Sequence, residues 1–206
     1  LSKSMPGSTL YTVGHSNHSH ERFMELLARH SISAIADVRS SPYSRYMPEY
    51  NMPVVESVLQ KAGVAYVFLG LELGARRSEN SCYVEGRARY ERIAQLPLFR
   101  EGLDRLFQGI KRYRVALMCA EEDPINCHRT ILVCHEIKKL RPELDILHIH
   151  GDGAAEPQQE LEARLVALHH LQPELFGDLT TTSGLIEKAF ALQATKLECR
   201  RDLEEE

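Results

Sequence analysis

Five short apolar runs, separated by stretches of helical period, constrain this chain more than any other feature. The runs cover residues 10–13, 32–38, 64–69, 115–118 and 144–149. Each is mostly apolar on both alternating faces, which is the pattern of a strand buried on both sides of a parallel sheet. The stretches between them fit helices. Ser19 can cap a helix that carries Phe23, Leu26 and Leu27 on one face. Pro53 stands where a second helix begins, running to about Ala62 before Gly63. Helical period returns over about 87–95 and 98–112, and Asp123-Pro124 opens a helix that runs to about Leu140. More helices follow around 158–170 and 183–198. Residues 70–86 are polar and irregular and read as one long loop.

Strands alternating with helices predict an α/β fold: an open, mainly parallel sheet of about five strands flanked by helices in three layers, Rossmann-like. No internal repeat, low-complexity tract or linker divides the chain. Residues 9–154 form the expected α/β domain, and residues 155–206 a helical C-terminal extension of that domain. The two chain ends, 1–8 and 202–206, contribute nothing to this argument.

Composition narrows the function classes. The formal net charge is −4 and the pI about 6.2, which argues against a duplex-DNA binder working through bulk positive charge. Cysteines at 82, 119, 127, 134 and 199 are odd in number and irregular in spacing. That pattern speaks against a disulfide framework and for a reducing, cytoplasmic setting. No apolar run approaches the roughly 20 residues of a membrane helix, and residues 1–8 lack the apolar core of a secretory signal.

In open α/β sheets ligands bind outside the carboxyl ends of the strands, so the chemistry is expected there. Arg39, Arg45, Arg76, Arg77, Arg87, Arg89 and Arg129 fall in or next to the loops after the second, third and fourth strands. Guanidinium forks bind carboxylate or phosphate at two points, so the expected mouth is locally basic although the protein is acidic. Solvated surface arginines with scattered ion pairs are the plainer reading of the same residues.

The segment Met118 to Arg129 is the richest in reactive groups. Cys119 ends the fourth strand, and Cys127, His128 and Arg129 are expected in the first turn of the next helix. Free N–H groups at such a terminus favour a thiolate or a bound anion. Glu121, Glu122 and Asp123 would raise a nearby thiol pKa unless an arginine pairs with them. Cys119 is either a nucleophile or a small buried residue at a strand end.

Metal ligation is a further possibility, because Cys119, Cys127, His128, His15, His18, Cys82, His148 and His150 could gather at one sheet edge. However, no C-x2-C or H-x3-H pair is present, so the zinc-finger and zinc-ribbon templates fail, and no metal site is assigned. Gly14-His15-Ser16-Asn17 follows the first strand. Its amides could meet a phosphate or simply cap the next helix, and it matches neither nucleotide-binding glycine pattern. Tyr43, Tyr46 and Tyr50 interleave with Arg39 and Arg45 in the loop 39–52. They could stack bases or pack the loop.

At this point the motifs resemble a known family, the domain-of-unknown-function 488 family, over roughly residues 9–170. The matching stretches are Thr12 to Ser16; Asp37 to Ser40 with Pro42, Ser44 and Arg45; Leu69 to Gly74 with Arg76 and Arg77; Met118 to Glu121 with Cys127, His128 and Arg129; and His148-Ile149 with Asp152-Gly153 and Glu156-Pro157. Ala75 stands where a second glycine is expected before the arginine pair. The resemblance implies a small α/β domain and no established reaction, and its motifs are the strand-end segments reached above.

The combined expectation is an enzyme acting on a small anionic or nucleotide-like ligand at the carboxyl edge of the sheet. Cys119 would be the nucleophile and Glu121 or His128 the acid/base. The ligand would be held among Gly14, His15, Ser16, Asp37, Arg39, Ser40, Arg45, Arg76, Arg77, Cys127, Arg129 and His148. The alternatives are a non-catalytic nucleotide or nucleic-acid binding module and a Cys/His metal site. The cofactor stays open, no membrane partner is expected, and a homo-oligomer stays open.

Overall fold

The computed structural model describes residues 9–173 and 181–199. Residues 174–180 and 200–206 of the expected extension, and the chain end 1–8, lie outside the described residues. The strands are β1 (Thr9–Gly14), β2 (Ala34–Asp37), β3 (Ala65–Phe68), β4 (Tyr83–Val84), β5 (Arg87–Ala88), β6 (Val115–Cys119), β7 (Asp145–Ile149) and β8 (Ala155–Pro157). The main sheet runs β3-β2-β6-β1-β7-β8, and β4 and β5 form a separate hairpin. Five strands are parallel, and β8 pairs antiparallel to β7. The α/β class and the mainly parallel sheet are thus as expected, with β8 as a sixth strand at the edge.

The helices are α1 (His20–Arg29), α2 (Met52–Lys61), α3 (Gly70–Leu73), α4 (Tyr90–Ile93), α5 (Pro97–Ile110), α6 (His135–Leu140), α7 (Gln158–Leu168) and α8 (Thr182–Leu197). The Ser19 side chain accepts from the Arg22 N–H and caps α1. Phe23, Leu26 and Leu27 of α1 pack with Val55 and Leu59 of α2 against Tyr11, Val13, Ile35, Ala116 and Met118. The other face of the sheet, with Leu10, Ala36, Val115, Leu117 and Cys119, packs against α5, α6, α7 and α8. Side chains alternate sides along a strand, so each strand feeds both cores.

Three local expectations are corrected. Residues 70–86 are not one loop: they hold α3, a 3-10 turn Asn80–Cys82 and β4. The stretch read as helix over 87–95 starts as β5 and only then turns into the short α4. Finally, no continuous helix runs from Asp123 to Leu140. A 3-10 turn Pro124–Asn126, capped by the Asp123 carboxylate, is followed by Cys127 in extended backbone, φ −136°. A π-helix Arg129–Cys134 then leads into α6. Such widened turns are common at functional sites. Here the break sets Cys127 before the helix rather than in its first turn.

Topology places the site. The connection after β1 runs to α1 on one face, whereas the connection after the adjacent β6 runs to the π-helix and α6 on the other. In open α/β sheets, diverging connections of this kind mark the carboxyl ends of the strands as the place where ligands bind. The register sets Gly14 beside Cys119 and Asp37 beside Met118.

Candidate functional site

The residues singled out from the sequence fall into four groups. In the first, Cys119, Glu121, Cys127, His128 and Arg129 converge where β6 ends. Cys119 lies on the face of the sheet that carries the π-helix. The two sulfurs and His128 Nδ1 all lie within 4.8 Å of one another, with Cys119 Sγ 3.7 Å from His128 Nδ1. The Cys127 thiol donates to Glu121 Oε2 at 2.9 Å. His128 Nε2–H donates to the Val38 carbonyl at 2.9 Å, which turns Nδ1 toward the sulfurs. Cys119 and Cys127 are buried, His128 is half-buried and Glu121 is exposed.

Arg129 is fully buried behind this cluster. Its two terminal nitrogens donate to the Glu121 and Glu122 carbonyls at 2.6 and 3.0 Å, and Nε lies 3.4 Å from Thr12 Oγ1. All three acceptors are neutral, so the charge is left for the thiols to answer. Gly14 lets the loop close over β1, since a Cβ there would stand 1.9 Å from the Glu121 carbonyl oxygen.

The electrostatics separate the two cysteines. Burial alone would raise the Cys127 thiol. The hydrogen bond with Cys119, then the Arg129 charge and then His128 hold it well below the ordinary thiol range. Cys119 moves the other way, pushed well up first by its hydrogen bond to Cys127 and then by burial. The Glu121 carboxyl is raised by desolvation and by Cys127. His128 is raised against its burial by Cys127 and Glu121. Thus Cys127, rather than Cys119, is the thiol the surroundings ionise.

The second group braces the first. Arg39 Nη2 and Nε bind Asp37 at 2.6 and 2.9 Å, and Nη1 donates to the Tyr50 carbonyl at 2.9 Å and to His15 Nε2 at 3.2 Å. His15 Nδ1–H donates to the Ser16 carbonyl, and its ring stacks on Tyr50 with centroids 4.1 Å apart. Burial and then Arg39 lower the His15 pKa to about 4, so the imidazole is neutral. The His15 and Ser16 amides donate to the Cys119 and Ala120 carbonyls, tying this group to the cysteine loop.

The third group lies apart. Ser40, Arg76 and Arg77 help line a groove of about 310 Å³ that does not include the cysteines. Ser40 Oγ accepts from the Arg76 N–H, and Arg77 binds Glu79 and the Leu71 carbonyl. Arg45 belongs to none of these groups and is exposed beside Tyr43 and Tyr46, which are 55% and 94% exposed.

In the fourth, His148 lies in the core. Its Nδ1 meets Thr12 Oγ1 and its Nε2 meets Gln158 Oε1, both at 2.9 Å. Burial lowers its pKa to about 4. Of the cysteines and histidines expected at the edge, only Cys119, Cys127 and His128 come close enough to share one ion among the described residues. His150 instead faces Glu156 at 2.9 Å. The supporting residues Tyr66 and Gln158 were not expected, and Thr12 was named only as the start of the first matching stretch. Tyr66 donates to Asp37 Oδ2 at 2.7 Å. A polar Thr12 inside an apolar strand was the one signal available in the sequence.

Compared with known families, the chain matches a family model described as a domain of unknown function, DUF488, over residues 19–135. That span holds the Asp37–Arg39 pair and the whole cysteine cluster, and is narrower than the 9–170 of the sequence resemblance. No curated protein matches the chain.

Proposed function

Because the chain belongs to the DUF488 family, whose description supplies no reaction, we propose a function from the site itself: a thiol-dependent enzyme acting on a small anionic substrate at the carboxyl edge of the sheet. The observation that carries this reading is the approach of Cys119 Sγ, Cys127 Sγ and His128 Nδ1 to within 4.8 Å of one another over the buried Arg129. Cys127 is the nucleophile, since it is the thiol whose surroundings favour the thiolate. The attack forms a bond from Cys127 sulfur to an electrophilic centre of the substrate. The leaving group departs with the bonding pair and takes a proton from His128 or Glu121. Cys119 donates a hydrogen bond to the thiolate. The positive charge of Arg129 behind the thiols suits a substrate that carries negative charge.

Alkylation by a small haloacetamide in the presence of a chelator, followed cysteine by cysteine against pH, tests this. Cys127 is expected to label with a midpoint below the free-thiol value of about 8.5, ahead of Cys119. A Cys127 that is inert at every pH where the chain stays folded refutes the reading.

A second reading is favoured by one observation: Tyr43, Arg45 and Tyr46 are all exposed on one loop. Exposed aromatics beside a guanidinium suit stacking on bases. Binding of single-stranded oligonucleotides that weakens steeply with salt and is lost in Y46A would support a nucleic-acid module instead.

A further inference from the structure

We propose that Cys119, Cys127 and His128, with Glu121 as the fourth donor, form a binding site for one thiophilic divalent cation of the zinc class, and that its occupancy silences the thiol. The silencing rests on the thiol-dependent reading above; the ion site does not.

The donor set comes first. Two sulfurs, an imidazole nitrogen and a carboxylate oxygen suit zinc and similar ions, whereas magnesium and calcium take oxygen alone. Distances come second. Metal–ligand bonds of about 2.0–2.3 Å set the edges of a tetrahedron near roughly 3.6 Å. The Cys119 Sγ to His128 Nδ1 separation of 3.7 Å already matches, whereas Cys127 Sγ and Glu121 Oε2, now hydrogen-bonded at 2.9 Å, part by roughly 0.7 Å when an ion replaces the shared proton. The widest pair of the three Cys and His donors, within 4.8 Å, needs a contraction of no more than about 1 Å.

The outer contacts are also those of a ligand histidine. Metal-binding imidazoles give their other N–H to a carbonyl or carboxylate, which fixes the ring. His128 does this with the Val38 carbonyl, leaving Nδ1 as the free donor atom. Cys119 is fixed by the end of β6, and Cys127 receives the Arg129 N–H at 3.4 Å.

Charge closes the argument. Arg129 is buried on neutral acceptors. Two thiolates and a carboxylate facing one guanidinium leave two negative charges over, which a divalent ion cancels. Neither cysteine is exposed, but Glu121 and half-buried His128 give the ion a way in. Glu121 lies against Cys127 but outside the group of three donors within 4.8 Å; once it turns in as the fourth donor no coordination position is open, as in structural sites, and the Cys127 lone pair is committed to the metal. That is why occupancy switches the thiol off.

The test uses the reduced, chelator-stripped full chain. Zn²⁺ is titrated against a chromophoric chelator, and Co²⁺ serves as the spectroscopic probe. One ion per chain is expected, with tetrahedral cobalt bands and a thiolate-to-cobalt charge-transfer absorption that falls by about half in C119S, the share of one thiolate in two. In the unaltered chain, saturating Zn²⁺ should slow alkylation of Cys119 and Cys127 at least tenfold while Cys199 is unaffected. That measurement needs no variant to fold. The inference is overturned by the absence of a stoichiometric ion, by unchanged binding in the C119S/C127S double variant, or by a Cys127 that reacts in the metal-free chain at a rate that ignores Zn²⁺. A Cys127 that reacts readily but is not protected leaves the thiol-dependent function standing and sinks the ion site. Zinc bound to a chain whose metal-free Cys127 is inert does the reverse.

Discussion

Asp37 and Arg39 form a two-point ion pair inside the protein, with the Asp37 side chain fully buried and Arg39 Nη2 2.6 Å from Oδ2. The remaining donors of Arg39 go to the Tyr50 carbonyl and His15. The guanidinium therefore ties the end of β2 to the loop 39–52 and to the turn after β1. Asp37→Asn leaves a buried guanidinium without its counter-charge, which costs roughly 3–5 kcal/mol. Urea unfolding of D37N, R39M and the double variant checks it, and the double variant should lose clearly less than the sum of the singles. A D37N loss below about 1 kcal/mol would mean that the pair does not anchor these loops.

Gly14 makes a different kind of demand. An alanine there sets its Cβ 1.9 Å from the Glu121 carbonyl oxygen and 2.8 Å from the carbonyl carbon, which are backbone atoms with little room to yield. G14A should push the loop after Cys119 outward and destabilise the fold by roughly 1–3 kcal/mol, as overpacking does. Amide exchange at His15 and Ser16, whose N–H groups bond the Cys119 and Ala120 carbonyls, should quicken with it. Unchanged exchange at these two amides would show that the loop absorbs the methyl group elsewhere.

Acid stability follows from two buried histidines, His15 and His148, and the half-buried His135. Burial lowers His15, His135 and His148 from 6.5 to about 4. Between those values the unfolded chain binds protons that the folded chain refuses, so stability falls as pH drops through this window and is level above it with respect to these groups. Three such protons give a slope of at most roughly 4 kcal/mol per pH unit. His128, raised by Cys127, contributes stability that is lost as pH rises, above 6.5 rather than below. Urea midpoints from pH 7.5 to 4.5 test the window, and H148Q should remove about a third of the slope, one proton in three. A midpoint that is flat from pH 7 to 5 would contradict neutral burial.

The residues that could be read from the sequence are those whose partners lie on the same strand or its following turn. Apolar runs and caps gave the parallel sheet and α1, because a doubly buried strand and a Ser19 cap are local signals. The pairing of Asp37 with Arg39 was within reach at a spacing of two residues. The position of Cys127 was not. It depends on an extended residue between a 3-10 turn and a π-helix, and the buried Arg129, anchored on carbonyls of its own loop, holds that break. Nor did any local pattern place His148 in the core, since Thr12 and Gln158 meet it from β1 and α7. The sequence pointed to the cysteine that ends the strand, whereas the long-range contacts favour the thiolate at the one after the turn, which is the basis of the proposed role of Cys127.

That shift is testable by moving the two groups that flank Cys127 in opposite directions. Cys127 faces Cys119, Glu121, His128 and Arg129. The Cys127 thiol donates to the Glu121 carboxylate, and the negative charge of that carboxylate opposes ionisation of the thiol, whereas a cationic His128 assists it. Glu121→Gln should therefore move the pH midpoint of Cys127 alkylation down by about one pH unit, and His128→Gln should move it up by about as much. Both side chains reach solvent, so neither change removes core packing, and circular dichroism should be unaltered. Opposite shifts separate charge from access, because a loosened loop would speed labelling at every pH without moving the midpoint. Shifts in the same direction, or equal rate increases with fixed midpoints, would mean that access to the sulfur governs reactivity at Cys127 rather than these charges.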